Sequence, residues 1–309
     1  MHPDLSEFGT KRQKGSDRAH HMKHASLDAF LTQAGPLLRR GPVAMIFAED
    51  AVELGSTLSH HLNCGFKTVL ALMLDEFELP DDVADRVHRI PFDCTLPNAV
   101  SDAVNWVSAA SPETWLYYCY NAEYLFFPFC ETRTVGEMLT FHAQERRDAM
   151  LTYVVDLYAG DLQEHPDAVS LEQAYLDSSG YYALPRSKPG SDIPHERQLD
   201  FYGGLRWRYE EHVPASRRRI DRISLFRAAR GLQLHPDHRF NIEEYNTYAC
   251  PWHNNLTAAI CSFRAAKALK RNPGSSFEID SFRWHNSALF QWSSAQLMDL
   301  GLMEPGQWF

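Results

Sequence analysis

The chain has 309 residues, 44% apolar and 23% charged, with a formal net charge of -10, the composition of a water-soluble globular protein with room for one large domain or two ordinary ones. No apolar run reaches the roughly 18 residues that a membrane-crossing helix needs, and the acidic balance disfavours a general nucleic-acid binder while leaving room for a local basic patch. The first thirty residues lack the apolar core of an export signal, so a cytoplasmic protein is expected.

Residues 1–25 are polar, with a basic, His-rich stretch (KRQKGSDRAHHMKH) expected to form a flexible arm. His20, His21 and His24 have a spacing that can hold a metal on a helix, but no acid or cysteine completes a set, and solvated histidines are expected. SLDAFLTQAGPLL predicts an amphipathic helix with Ser26 as its N-cap. VAMIFAED predicts a buried strand ending in two acids. Residues 51–64 predict a helix closed by Gly65. KTVLALML, RVHRIPFD and TWLYYCY predict three more strands, with a helix over 96–109 between the last two. This alternation implies an α/β fold with a mostly parallel sheet covered on both faces.

Val135, Met138, Leu139 and His142 fall at helical spacing within 134–148, and AMLTYVVDLYAG then predicts a strand. From about 160 to 200 the pattern loosens, and LPRSKPGSDIP reads as a loop by its prolines and glycine. Residues 206–230 hold eight arginines against three acids, either a solvated face or a surface for an anionic ligand. Residues 255–271 read as one Ala-rich helix with a basic last turn. Trp284, Trp292 and Trp308 are expected to pack the C-terminus onto the body. Cys64, Cys94, Cys119, Cys130, Cys250 and Cys261 form no CxxC pair, so reduced, packed thiols are expected rather than disulfides or a cysteine-rich zinc site.

In an open parallel sheet, ligands bind beyond the carboxyl ends of the strands. Three strand ends carry polar groups: Glu49 and Asp50, Asp75 and Glu76, Asn121 and Glu123. Together they could hold a metal or the hydroxyl and amide groups of a ligand, or be ordinary exposed loop acids. Dinucleotide, P-loop, nucleophile-elbow and HExxH motifs are absent from the sequence. A second candidate is EEYNTYACPWHNN, residues 243–255, which crowds Cys250 and His253 ahead of the expected helix, where Arg264 and Lys267 add positive charge. It could serve a phosphate at a helix start or be a capping and packing segment.

VAMIFAED followed by LSHHLNCGFKTVLALMLDE resembles the opening of family 2-type glycosyltransferases with a GT-A fold. In that family a first strand ends in a polar residue plus Glu, a helix carries His-His-Leu-x-x-Gly-Phe, and a second strand ends in Asp, here LSHHLNCGF and Asp75. The family's Asp-x-Asp-Glu-Phe-Leu strand end binds metal and the sugar-nucleotide diphosphate, and TWLYYCYNAEYLFF stands in its place. Glu123, Tyr124 and Leu125 match its second half, but Tyr120 and Ala122 replace the two aspartates, and neither substitutes well for a carboxylate on a hard cation. PWHNNLTAAICSFRAAK matches a His-containing segment before a basic helix. The resemblance covers residues 42 to 160 and continues loosely to 270.

The resemblance implies a GT-A-like nucleotide-sugar-binding domain over 26–200, after the arm of 1–25, with a helical and loop extension on the acceptor side over 201–309. It implies a sugar transferase taking a nucleotide-activated donor and a glycan or other hydroxyl acceptor. Glu49, Asp75, Asn121, Arg264 and Lys267 would bind the donor. His253 and Glu123 would be catalytic, with Glu123 on the lip of the site and the ligand of any manganese or magnesium. The altered aspartates equally allow transfer without a metal, or a relative that binds a glycan, nucleotide or protein without turnover.

Overall fold

The computed structural model describes residues 22–188, 190–248, 250–251 and 254–308. Strands β1 (Val43–Phe47), β2 (Thr68–Met73), β3 (His88–Pro91) and β4 (Trp115–Tyr120) run parallel in the order β3-β2-β1-β4. Met45 sits opposite Leu70 on one side and Tyr118 on the other. All of β1 and β2 is buried, which is why both read as unbroken apolar runs. Ala44, Ile46, Ala71, Tyr117 and Cys119 face one core, and Met45, Phe47, Leu72, Tyr118 and Tyr120 the other, the period of two that a pleated strand imposes.

Helix α1 (Leu27–Leu38) starts where Ser26 Oγ accepts the Ala29 N–H at 3.1 Å. Helix α2 (Leu54–Asn63) is followed by Gly65 at φ +93°, where its amide reaches the Leu62 carbonyl. Helix α3 (Ala99–Ala110) covers the face of Tyr118 together with α1. Helix α4 (Val135–Gln144) opens with a capping box between Thr134 and Glu137 and buries Val135, Met138, Leu139 and His142.

β5 (Glu123–Phe126) follows β4 after a two-residue turn, with Ala122 at φ +58°. β6 (Ala149–Ala159) runs alongside β10 (Asp221–Arg227), which lies antiparallel between β6 and β4. β7 (Ala174–Asp177) and β12 (Ser287–Leu289) extend the sheet beyond β6. Residues 201–309 therefore do more than cover this body, because β10 is inserted into its centre. Trp292 packs on Tyr124, Phe126 and Phe290, and Trp308 on Phe127, Phe129 and Phe141.

Three expectations are corrected. Residues 255–271 are not one helix: β11 (Ala258–Ser262) pairs with β5 and β6, and helix α5 (Arg264–Arg271) begins only afterwards. Every residue of β11 is buried, and that packing overrides the helical preference of its alanines. The expected loop LPRSKPGSDIP instead overlaps the two strands of a hairpin, β8 (Tyr182–Ser187) and β9 (Pro194–Tyr202), and joins them. A sheet of only two strands tolerates Pro185 and Pro194 because each strand keeps an unpaired edge. The basic run is not one continuous solvated or free face, although Arg217 and Arg230 are exposed. Arg206 pairs with Asp156, Arg208 with Asp177, Arg219 with Asp200 and Asp221, and Arg222 with Glu123.

Candidate functional site at the carboxyl edge of the parallel strands

Because β1, β2 and β4 are parallel and in register, their carboxyl ends open on one edge. Asn121 ties the β1 and β4 ends together. Its Oδ1 accepts the Glu49 N–H at 2.9 Å, and its Nδ2 donates to Asp50 Oδ1 at 2.6 Å and to the Val52 carbonyl at 2.8 Å. The side chain is wholly buried, so these bonds replace the water it has lost.

Helix α5 enters from the far end of the sequence. Arg264 grips Glu49 through Nε and Nη2, both at 2.7 Å, and its guanidinium lies 3.6 Å from the centre of the Tyr120 ring. This is a bidentate charge pair with a cation–π floor. The buried Lys267 ammonium holds both Asp50 oxygens at 3.0 and 3.1 Å, and Arg271 reaches Asp50 from outside. Burial pushes the Asp50 carboxyl up, but Lys267, Asn121 and Arg271 together outweigh it and hold its pKa below the usual range. Burial also works against the Arg264 charge, yet Tyr120 and Glu49 raise its pKa further above the arginine value.

Glu123 does not stand on the lip. It is wholly buried, and its Oε2 accepts from Arg222 Nη2 at 2.6 Å and the Tyr120 N–H at 2.9 Å, while Oε1 accepts from Ser262 Oγ at 3.1 Å. Burial would push its carboxyl up; the Arg222 guanidinium, helped by Arg264 and the Tyr120 amide, brings it down to about 2. Glu123 is buried because it joins β4, β5, β10 and β11 at one point. The apolar run before it is a central strand that ends at Tyr120.

These contacts decide the fit of a divalent cation. Manganese and magnesium need several oxygen ligands, but both Glu123 oxygens are committed, and Tyr120 and Ala122 offer no carboxylate. No cluster of three or more His, Cys, Asp or Glu side chains suited to a metal occurs among the described residues. The residues at this edge do not fit either metal.

Asp75 lies apart from this network. Its side chain is exposed and its ion-pair partner among the described residues is Arg89, at 3.9 Å. His253 and Trp252 lie outside the described residues. Around them, Cys250 Sγ contacts Arg147 and Asn255, and the chain continues into β11, so among the described residues the expected α-helix does not follow this segment directly. His60 and His61 of the LSHHLNCGF stretch turn inward, bonding the Leu125 and Thr57 carbonyls at 2.7 Å. His61 is held neutral, its pKa brought down to about 3 by burial and by His60.

The sequence had singled out Glu49, Asn121, Arg264 and Lys267, and the structure brings these four together. It had missed Arg222, Arg271 and Tyr120 as parts of the same edge. Arg222 was visible only as one member of a basic run, and the ring of Tyr120 only as a poor substitute for a metal ligand. No helix among the described residues is long and apolar enough to cross a membrane. No protein-family model matches the chain, and no curated protein matches it.

Proposed function

We propose that the chain is a GT-A-like transferase that binds a nucleotide-activated sugar at the carboxyl edge of β1 and β4 and passes the sugar to an acceptor hydroxyl, using its own cations in place of a metal. The observation that carries this reading is the placement of Arg264 on Tyr120, with Lys267 and Arg271 following it along α5, all at the strand ends where an α/β sheet takes ligands. The acceptor oxygen attacks the anomeric carbon as the bond to the diphosphate breaks, its proton passing to water, and Arg264 and Arg271 offset the negative charge that develops on the leaving group. Glu49 and Asn121 order the donor side of the edge. Glu123, ionised and enclosed, fixes Arg222 and the β4–β5 turn and is not the base.

A second reading, a protein that binds such a ligand without turning it over, is favoured by one observation. Glu49, Asp50 and Glu123 are each tied to a guanidinium or ammonium and none is free to take a proton from an acceptor. Thermal-shift titration with UDP-, GDP-, CMP- and dTDP-sugars, with and without manganese, followed by an assay of nucleotide release, tests both. One nucleotide class is expected to raise the melting temperature without manganese, and Arg264→Gln is expected to abolish the rise. Binding without nucleotide release selects the second reading. No rise with any donor rejects both.

A further inference from the structure

A cavity of about 490 Å³ opens between the β8–β9 hairpin and the segment running from 235 to 246. That volume lies within the range of about 300–1,000 Å³ typical of small-molecule sites. One wall is Arg186, a buried side chain each of whose three nitrogens is engaged: Nε with Asp200, Nη1 with Gln198, Nη2 with Asp221 and the Leu199 carbonyl. Arg219 and Arg239 crowd the same acids. Arg219 lies 3.2 Å from Asp200 and 3.1 Å from Asp221, and Arg239 lies 3.4 Å from Asp200. Three guanidiniums thus share two enclosed carboxylates. The next nearest acid, Asp237, stands 3.6 Å from Arg239 Nε with its carboxylate half in water. The remaining acid on the wall, Glu243, is taken up by His195 at 3.0 Å and Gln198 at 3.3 Å.

Arg239 is the member of this cluster left short of partners. It lines the cavity, and its Nε–H is buried with no hydrogen-bond acceptor. A buried donor without an acceptor is costly, and native structures seldom leave one without a reason. Burial, with Arg219 and Arg186 close by, also holds the Arg239 pKa below the arginine value. His195 and His235 bring imidazoles to the same space.

We propose that this cavity is a binding site for a small ligand carrying one phosphate or carboxylate group, received by the Arg239 guanidinium with the His195 and His235 rings beside it. An anion there offers the Arg239 fork the hydrogen-bond acceptor that its Nε–H lacks. The residues named are distinct from the Glu49–Arg264 edge, so the inference stands whether or not the chain transfers sugar.

The test is isothermal titration of the full chain, in low-salt buffer at neutral pH, with inorganic phosphate, glucose 6-phosphate, glucuronate and glucose. At least one charged ligand is expected to bind and glucose is not. Comparing the three charged ligands separates free phosphate, sugar phosphate and sugar carboxylate. Arg239→Gln should weaken binding by about tenfold or more, as expected for a lost charge-assisted hydrogen bond. His195→Gln should weaken it by a smaller factor and carries the test if the arginine variant does not fold. Arg264→Gln should leave this binding unchanged while abolishing any nucleotide-sugar effect, which keeps the two sites apart. The proposal is overturned if no charged ligand binds the folded chain, if glucose binds as well, or if the Arg239 and His195 variants bind like the wild type.

Discussion

Glu123→Gln is the most informative single change, because it keeps the shape of the side chain and removes only its charge. The Arg222 guanidinium is then left buried without a counter-charge, and its Nε–H already lacks an acceptor. Removing one partner of a buried pair costs about 3–5 kcal/mol. A second route gives a similar figure. The Glu123 carboxyl is brought from 4.5 to about 2, which at 1.36 kcal/mol per pH unit is roughly 3 kcal/mol of preference for the ionised form. The folded value is the lower one, so this stabilisation is fully present above about pH 4.5 and is lost as the pH falls toward 2. Urea unfolding at neutral pH should show the variant less stable by about 3–5 kcal/mol, with an unchanged denaturant slope. The gap to the wild type should narrow below pH 4.5. Glu123→Gln/Arg222→Met should recover most of the loss, since an apolar replacement of both partners is close to neutral. A single variant within about 1 kcal/mol of wild type, or a gap that stays constant as the pH falls, would refute the assignment of Glu123 as a structural ion-pair partner.

Three further outcomes follow from buried groups. Asn121→Asp places a carboxylate against Asp50, 2.6 Å from the present amide, and deletes the donor to the Val52 carbonyl; a loss of about 2–4 kcal/mol is expected in urea unfolding, larger than for Asn121→Ala. His61 and His142 are enclosed and neutral, with pKa values lowered by burial to about 3 and about 4. Since the unfolded chain takes up these protons first, stability is complete above pH 6.5, and each histidine removes about 2 kcal/mol by pH 5. His142→Gln should flatten the fall of the urea midpoint over that window, and an unaltered slope counts against the neutral assignment. Burial raises the thiol pKa of Cys64, Cys119 and Cys261. A thiol titration should therefore leave these three unmodified in the native protein and reach all six only in denaturant. Native labelling of Cys119 would contradict the packing described.

The parts that were legible in the sequence are those in which one local stretch carries its own signal. VAMIF, TVLALM and WLYYCY read as central strands because burial on both faces removes alternation. Ser26, Thr134 and Gly65 marked helix ends because each acts on backbone groups a few residues away. The Ala-rich stretch before Arg264 misled for the converse reason: its local preference is helical, and only distant strands β5 and β6 make it a strand. The prolines at 185 and 194 similarly suggested a loop, since nothing local shows that β8 and β9 need no further neighbours. The site depended even more on distance in the chain. Glu123 and Arg222 are 99 residues apart, and Glu49 and Arg264 are 215 apart. Composition can name such residues as charged, but only the fold pairs them.

The three acid–base pairs at this edge are graded by depth, and on the proposed reading the grading separates scaffold from binding surface. Glu123 and Arg222 are 0% and 5% exposed, so no ligand can reach either without unfolding the β4–β5 turn. Asp50 and Lys267 come next, at 16% and 3%, with Arg271 half in water beside them. Glu49 and Arg264 are 28% and 30% exposed. An incoming phosphate would have to compete with Glu49 for the Arg264 fork, and that exchange is the cheapest of the three. Water already screens the pair, and the Tyr120 ring holds the guanidinium in place from below after Glu49 lets go. The inner pair fixes the strand end, the middle one anchors α5, and on the proposed reading the outer one is where an anion would displace a carboxylate from a guanidinium.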